Sequence, residues 1–400
     1  MIVRDPDLGW LEEATLNRVV SALTADGAVA RFVGGCVRDN FLGLPVTDID
    51  IAIDTEPDIV VDLLERARIK AVPTGIKHGT VTAVADHRPF EITSLRHDVE
   101  TYGRHASVAF TDDWEADAAR RDFTINALYR DPDGTLFDPV GGRTDLATGH
   151  VCFVGDARKR IEEDRLRVLR FFRFYAHYGA PPPDGAALEA CRDASGRLDI
   201  LSAERVQKEM IKLLQAHDPI PALHLMRDTG VLKTILPEAG GFGILEELIA
   251  IESPAGRSDA LLRLAALLPM DPKAATAVAE RLRFSNAMRA RLVAAMAPLQ
   301  EGPPEETVYR LGAGPAHDVA LLAGARGAAG WHDVLEAAEL QHPHEFPLTG
   351  ADVVALGVPS GPVVGEHLKA VEQWWIAGGL TADKTQCLQQ LQRRLRKGGH

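Results

Sequence analysis

The spacing of apolar and polar positions divides the chain into two regimes. Through the first third, short apolar runs alternate with turn residues. Arg31–Cys36 breaks at two glycines, Asp48–Ile53 alternates acid and isoleucine as a half-buried strand does, and Thr80–Ala85 and Phe90–Leu95 read as further strands. Asp54-Thr55-Glu56-Pro57 carries the marks of a helix start, with proline early and acids in the first turn, and leads into a helix over Ile59–Arg68. Beyond about residue 155 the strand pattern ends. Ile161–Tyr178, Ala203–Gln215, Pro221–Leu232 and much of Leu261–Met296 have helical periodicity, with Pro/Gly-rich joints at Gly179–Gly185, Leu236–Gly243 and Gly302–Pro304. The pattern predicts an α/β head followed by a long all-helical remainder.

Composition changes this picture little. At 400 residues the chain exceeds one ordinary core, and 46% hydrophobic with 25% charged residues is ordinary for a soluble protein. Four scattered cysteines, none in a CxxC pair, predict neither a zinc framework nor disulfides and fit a reducing cytoplasm. With no leader-like segment and no apolar run of membrane length, a cytoplasmic location without a membrane is expected. The net charge of −13 speaks against a broad basic coat. A local basic wall remains available, because Asp156–Arg173 holds seven basic against four acidic residues.

Three clusters carry candidate chemistry. Gly34-Gly35-Cys36-Val37-Arg38-Asp39 precedes Asp48-Ile49-Asp50. On a strand, Asp48 and Asp50 share a face, and two adjacent carboxylates call for a cation, for which oxygen-seeking Mg²⁺ is the natural occupant. The paired glycines suit close approach of a phosphate, and Arg38 adds a charged donor. A lone DxD reads as a tight turn and two solvated acids; the paired glycines, Arg38-Asp39 and DxD in this order between strands reverse that reading. Glu91 lies opposite Phe90 and Ile92 along its strand and is either a third carboxylate of the site or an exposed edge residue.

In Arg120-Arg121-Asp122-Phe123-Thr124-Ile125-Asn126, the Arg pair, Asp122 and Asn126 offer phosphate and ribose partners on one helical face, or else a helix end with salt bridges. In Glu163-Asp164-Arg165-Leu166-Arg167, Asp164 and Arg167 are i,i+3 neighbours, with Arg170 and Arg173 further along. Side by side they form an acceptor–donor edge able to pair with a nucleobase; the plainer reading is an ordinary salt bridge.

Together these pieces resemble the class II tRNA nucleotidyltransferase and bacterial poly(A) polymerase family. The GG-x-VRD … DxD stretch is similar to its metal and triphosphate motif, RRDFTINAL to its ribose-selecting motif, and Asp138–Leu146 to its hinge. Glu163–Arg170 resembles its base-recognition motif and Leu201–Glu209 its fifth, buttressing motif. All five stand in family order across about residues 30–215.

The resemblance implies a polymerase-β-like α/β head over residues 1–150, a helical neck over 151–215, a body over 216–300 and a tRNA-binding tail over 301–400. It implies transfer assisted by two metal ions, with Asp48 and Asp50 as ligands of Mg²⁺, and Gly34, Gly35, Arg38, Arg121, Asp122 and Asn126 at the nucleotide. Asp164 and Arg167 become the protein template, with Arg170 and Arg173 nearby. Expected substrates are ATP, CTP and the tRNA 3′ end, without an obligate protein partner. Complete CCA addition is favoured over CC-only, A-only or poly(A) synthesis because Arg96–Asp113 stands where the family keeps a flexible switching loop. Glu91 is a candidate from this sequence alone.

Four His-Asp pairs raise an appended phosphohydrolase, but His217-Asp218 runs directly into Pro219 and reads as a helix end. Gly357–Gly365 reads as the turn before a helix, and Trp374 and Trp375 as packing or base-stacking residues. A small-molecule nucleotidyltransferase is a remoter alternative from another class, disfavoured by the long helical remainder. A silent RNA-binding protein is a second, opposed by the intact Asp48 and Asp50.

Overall fold

The computed structural model describes residues 7–102, 105–253, 258–340 and 345–397, and side chains in the stretch 98–108 are not considered. The chain folds as two units, 1–237 and 238–400.

The first unit opens with a seven-stranded mixed sheet. Its strands are β1 (Ala30–Val33), β2 (Asp50–Ile53), β3 (Lys70–Gly75), β4 (Thr80–Ala85), β5 (Arg88–Ser94), β8 (Tyr129–Arg130) and β9 (Leu136–Phe137). They lie in the order β3-β4-β5-β2-β1-β8-β9, and a separate two-stranded sheet is formed by β6 (Arg96–Tyr102) and β7 (His105–Phe110). Only the β2–β5 neighbours run parallel within the larger sheet; its other pairings are antiparallel.

Alternation explains β4, where Val81, Ala83 and Ala85 are buried and the residues between are not. Helices Ala14–Leu23 and Pro57–Arg66 pack together; Leu16, Val19 and Leu23 of the first and Val60, Leu63 and Leu64 of the second are buried. Another cluster joins Val33, Ala52, Leu95, Ala118, Ala127, Tyr129 and Val154.

Helices follow. Ala157–Glu163 and Leu166–Tyr178 are separate, so the single helix expected over Ile161–Tyr178 is corrected. Asp164 adopts an extended φ of −148° and ends the first helix, while its side chain accepts the Leu166 N–H at 3.0 Å to start the second. Leu166–Tyr178 packs against Ala203–Leu214. It joins the preceding segment through aromatic rings: Phe171 stacks on Phe153 at 6.0 Å, and Phe174 meets Phe123 edge-on at 5.1 Å.

The second unit is helical throughout its described residues. A buried Arg263–Glu252 pair at 2.8 Å braces helix Ala260–Leu267. The last helices close over Val353, Val371, Trp375, Ile376, Cys387 and Leu391. Trp375 is a packing residue whose indole N–H donates to Ala382 O at 2.9 Å, whereas Trp374 is exposed.

Candidate active site

The candidate end of the sheet begins where β1 meets Gly34, whose φ of 73° and ψ of −120° suit glycine and no L side chain. Its N–H donates to Leu128 O at 3.1 Å, tying the turn to the segment before β8, and helix Gly35–Phe41 follows. A side chain built on Gly34 would meet Asn126 O at 3.7 Å and Arg121 Nη1 at 4.0 Å, so the RRDFTINAL segment lies against this turn.

The parallel β2–β5 register places Asp50 opposite Glu91. Asp48 precedes the strand by two residues instead of standing on it, while Ile49, Ile51 and Ile53 are buried as the alternation requires. All three acids reach solvent. Protein nevertheless surrounds Asp50 closely enough to disfavour its charged form, and the negative Glu91 and Asp48 add to this against the pull of Arg121. Its carboxyl is pushed up to about 6. The trio does not close around one point: among the described residues, only Asp145, His150 and Cys152 bring three such ligand atoms within 4.8 Å of one another. Acids that raise one another's pKa in this way are the setting that an oxygen-seeking divalent cation would relieve.

The Arg120–Asn126 residues do not share a helical face. Helix Trp114–Ala119 stops before them and a 3₁₀ turn, Thr124–Asn126, follows. The loop folds back so that Asn126 donates to Asp122 at 3.2 Å and receives Arg38 Nη1 at 2.5 Å. Arg38 also pairs with Asp39 at 2.8 Å and lies over Tyr178 at 4.3 Å; its place is a brace between Gly35–Phe41 and Asn126, with little guanidinium left exposed.

Arg121 is held by Asp117 at 3.0 Å and by the Tyr129 hydroxyl at 2.8 Å. Burial opposes its charge, but these two partners outweigh burial and hold its pKa up. Fully buried Asp117 also pairs with Arg120 and accepts the Tyr129 hydroxyl at 2.7 Å. Sequence reasoning missed this anchor, although its i,i+4 spacing to Arg121 was available.

In the Glu163–Arg173 cluster the expected Asp164–Arg167 side-chain pair is not formed, because the chain breaks at Asp164 between two helices. Asp164 instead accepts Arg205 at 2.5 Å, and Arg167 pairs with Glu163 and donates to Arg160 O at 2.9 Å. Arg170 bonds Asp122 at 2.5 Å, and Arg173 bonds Glu209 at 3.0 Å. Burial would raise Asp122, yet Arg170, with Asn126 beside it, holds this carboxyl below the ordinary range. Arg205 and Glu209 belong to the Leu201–Glu209 stretch, so that stretch supplies counter-charges to Asp164 and Arg173. Glu163, Asp117, Arg205 and Glu209 are the partners that sequence spacing did not single out.

Arg96–Asp113 forms the β6–β7 hairpin over most of its length, where a loop was expected. Within this stretch, residues 103 and 104 lie outside the described residues. Asp218 accepts the Ile220 N–H at 3.0 Å as a turn at a helix start, and Asp318 is engaged by Arg291 at 2.6 Å; neither His-Asp pair builds a phosphohydrolase metal centre among the described residues.

Comparison with known proteins agrees with this layout. A family model described as "Poly A polymerase head domain" matches residues 30–152, and one described as "Probable RNA and SrmB- binding site of polymerase A" matches 184–240. The chain is 32% identical to the mouse protein named "CCA tRNA nucleotidyltransferase 1, mitochondrial", covering 97% of this chain and 92% of that protein. It is also 32% identical to the "CCA-adding enzyme" of Geobacillus stearothermophilus, covering 92% and 93%. A crystal structure of the Bacillus stearothermophilus CCA-adding enzyme in complex with CTP superposes with a TM-score of 0.79 at 28% identity, over 96% of this chain and 98% of that one. Among the described residues no helix is long and apolar enough to cross a membrane. The mitochondrial names of the mouse and human relatives mean that kinship does not carry a cytoplasmic location.

Proposed function

This chain belongs to the CCA-adding tRNA nucleotidyltransferase family and is a nucleotidyltransferase; from that premise we propose that it completes the tRNA 3′ end with CCA, using CTP and ATP. The carrying observation is the sheet end itself: Asp50 in register with Glu91, Asp48 beside them, and the Gly34 turn and Arg121 adjoining. Relatives named for this activity span nearly the whole chain, and a solved structure of one is titled as a CTP complex.

Asp48 and Asp50 would hold Mg²⁺, whose double charge fits carboxylates that otherwise repel, and Glu91 would contribute to their field. Bound there, Mg²⁺ supplies charge neutralisation and lowers the pKa of a coordinated hydroxyl. The Gly34-Gly35 backbone allows close approach of the triphosphate, and Arg121, fixed by Asp117 and Tyr129, faces that space. The tRNA 3′-hydroxyl displaces diphosphate from the nucleotide α-phosphorus: a new P–O bond forms as the α–β bridge breaks, and the hydroxyl proton leaves to solvent. Catalysis rests on positioning and electrostatics.

Asp164 and Arg167 present the edge that chooses the base. Arg205 holds one oxygen of Asp164 and the Leu166 N–H the other, while Glu163 and Arg160 O hold one guanidinium nitrogen of Arg167, so both groups keep a fixed bearing. The second lone pairs of Asp164 and the remaining nitrogens of Arg167 are left for the nucleotide. The β6–β7 hairpin serves the change from CTP to ATP. The head, neck, body and tail boundaries at residues 150, 215 and 300 belong to the same proposal.

The test is incorporation on tRNA transcripts ending at the discriminator base, at C and at CC, with Mg²⁺ and CTP, ATP or both. Addition that stops after CCA is expected. Stopping at CC removes the hairpin from nucleotide switching, continuous A addition makes this a poly(A) polymerase, and no addition returns the chain to small-molecule transfer.

A further inference from the structure

Behind the Thr124–Asn126 turn lies a cluster that the transfer reaction does not use. Asp145, midway along helix Gly142–Thr148, places one carboxylate oxygen 3.2 Å from His150 Nδ1 and the other 3.2 Å from Cys152 Sγ. The other ring nitrogen, His150 Nε2, lies 3.2 Å from Asp184. Asp184 is itself fixed, because it caps helix Gly185–Ala194 by accepting the Ala187 N–H at 2.6 Å.

We propose that Asp145, His150 and Cys152 form a binding site for one thiophilic divalent cation of the Zn²⁺ class, with Asp184 orienting the imidazole from outside.

Three arguments converge. The ligand set is the first: one thiol, one imidazole and one carboxylate suit Zn²⁺ and exclude Mg²⁺ and Ca²⁺, which take oxygen. The second is spacing. Tetrahedral Zn²⁺ with bonds of about 2.0–2.3 Å sets its ligand atoms roughly 3.3–3.6 Å apart. The three groups already lie within 4.8 Å of one another, with both Asp145 contacts at 3.2 Å.

The third is Asp184. A carboxylate on the far nitrogen is the arrangement that fixes the tautomer of a metal-bound histidine and strengthens it as a donor. Here that carboxylate comes from a different segment and is independently locked by its helix cap. The His150 side chain is 40% exposed, so the cluster is open to solvent on one side, giving an ion access and a fourth position for water.

Without a cation, burial and the neighbouring Asp145 and Asp184 push the Cys152 thiol up to about 12. On coordination the thiol proton leaves to solvent and the sulfur binds as thiolate. The site joins two parts of the first unit. Cys152 O accepts the Thr124 N–H at 3.2 Å, and Cys152 Sγ lies 3.5 Å from Thr124 Oγ1. Gly142 packs so closely that an added Cβ would sit 2.1 Å from Thr124 O. A bound ion would clamp this nucleotide-side segment to the helix that follows Asp184.

The probe is Co²⁺, titrated into the full-length chain after chelator stripping. The expected result is a sulfur-to-cobalt charge-transfer band that saturates at one ion per chain and is displaced by Zn²⁺. Cys152→Ser should abolish the band while circular dichroism stays native, and Asp184→Asn should weaken binding about 10- to 100-fold. Asp48→Ala should leave the band intact, separating this site from the Mg²⁺ site. Zn²⁺ should raise Tm in the unsubstituted chain and not in Cys152→Ser. Absence of the band at micromolar Co²⁺, or its persistence in Cys152→Ser, overturns the proposal and leaves His150 as a clasp between two carboxylates.

Discussion

At the end of β2 and β5, Asp50 stands in register with Glu91 and Asp48 lies just before β2, and the three make no ion pair among the described residues. Around helix Leu166–Tyr178, by contrast, each acid has its cation: Asp122 with Arg170, Glu163 with Arg167, Glu209 with Arg173, and Asp164 with Arg205. The two regions use the same side chains under opposite electrostatic conditions. Strand register forces the first group together, because the ladder hydrogen bonds that align Asp50 with Glu91 do not depend on what the side chains carry. That leaves a negative pocket, which the proposed function fills with Mg²⁺. Pairing in the second group fixes side chains that would otherwise swing freely, so their remaining donors and acceptors can act as a template. One region is built to be incomplete, the other to be rigid.

The sharpest way to break this comparison is to remove an unpaired acid. Asp50→Ala or Asp48→Ala should lower nucleotide incorporation by about 10³-fold or more while tRNA affinity in a filter-binding assay is unchanged. Near-normal rates in both would take the sheet end out of the chemistry.

In the paired region, loss of Arg167 should cost selection before speed. Arg167→Ala is expected to reduce discrimination between correct and incorrect nucleotides, as ratios of kcat/KM, by about 10- to 100-fold, the worth of one or two charge-assisted hydrogen bonds. Unchanged ratios would withdraw it from the template.

Asp122→Ala leaves the half-buried Arg170 without its partner and should cost about 1–3 kcal/mol of stability in a urea titration. Because the folded pKa of Asp122 is lowered, its stabilisation is present above the unfolded carboxylate value and is lost as pH falls through the lowered folded one. The substituted chain should therefore lose less stability on acidification than the original.

Arg205→Ala touches only the brace on Asp164. A drop in selectivity of about two- to tenfold is expected, partly rescued by Lys at the same position, since one charge-assisted bond of several is lost. Equal losses from Arg205→Ala and Arg205→Lys would mean that charge on Asp164 does not set its bearing.

The smallest effect separates the regions by the sign of their pH response. Asp50 has a raised folded pKa, so its contribution to stability is present below the ordinary carboxylate value and lost as pH rises through about 6. In the absence of Mg²⁺, Asp50→Asn should raise Tm slightly at pH 7 and have no such effect at pH 4. The Mg²⁺ concentration needed for half-maximal activity should climb as pH drops below about 6. A pH-independent requirement would show that Asp50 does not compete with protons for the metal.

Much of this was legible from residue order because it depends on local rules. Alternation identified β4 and β5, and proline with acids placed the start of helix Pro57–Arg66. The residues Gly34, Gly35, Asp48, Asp50, Arg121, Asp164 and Arg167 were singled out by motif. The chain alone also determined which residue types could serve: two acids one residue apart, a glycine where φ must be positive, and a run of arginines on one helix. Such requirements are written in each residue's own chemistry and in that of its immediate neighbours.

Tertiary structure decided who meets whom. The break at Asp164 turned an expected i,i+3 pair into two pairs with other partners, one of them 41 positions away at Arg205. Arg170 found Asp122 across 48 positions, and Glu91 met Asp50 only because β2 and β5 run parallel. Asp145, His150 and Cys152 are close in sequence, but their meaning changed once Asp184 arrived from another helix start. Long-range partners of this kind carry no local signal. Helix periodicity reports which face is buried, whereas the identity of the charge waiting there depends on how separate elements pack.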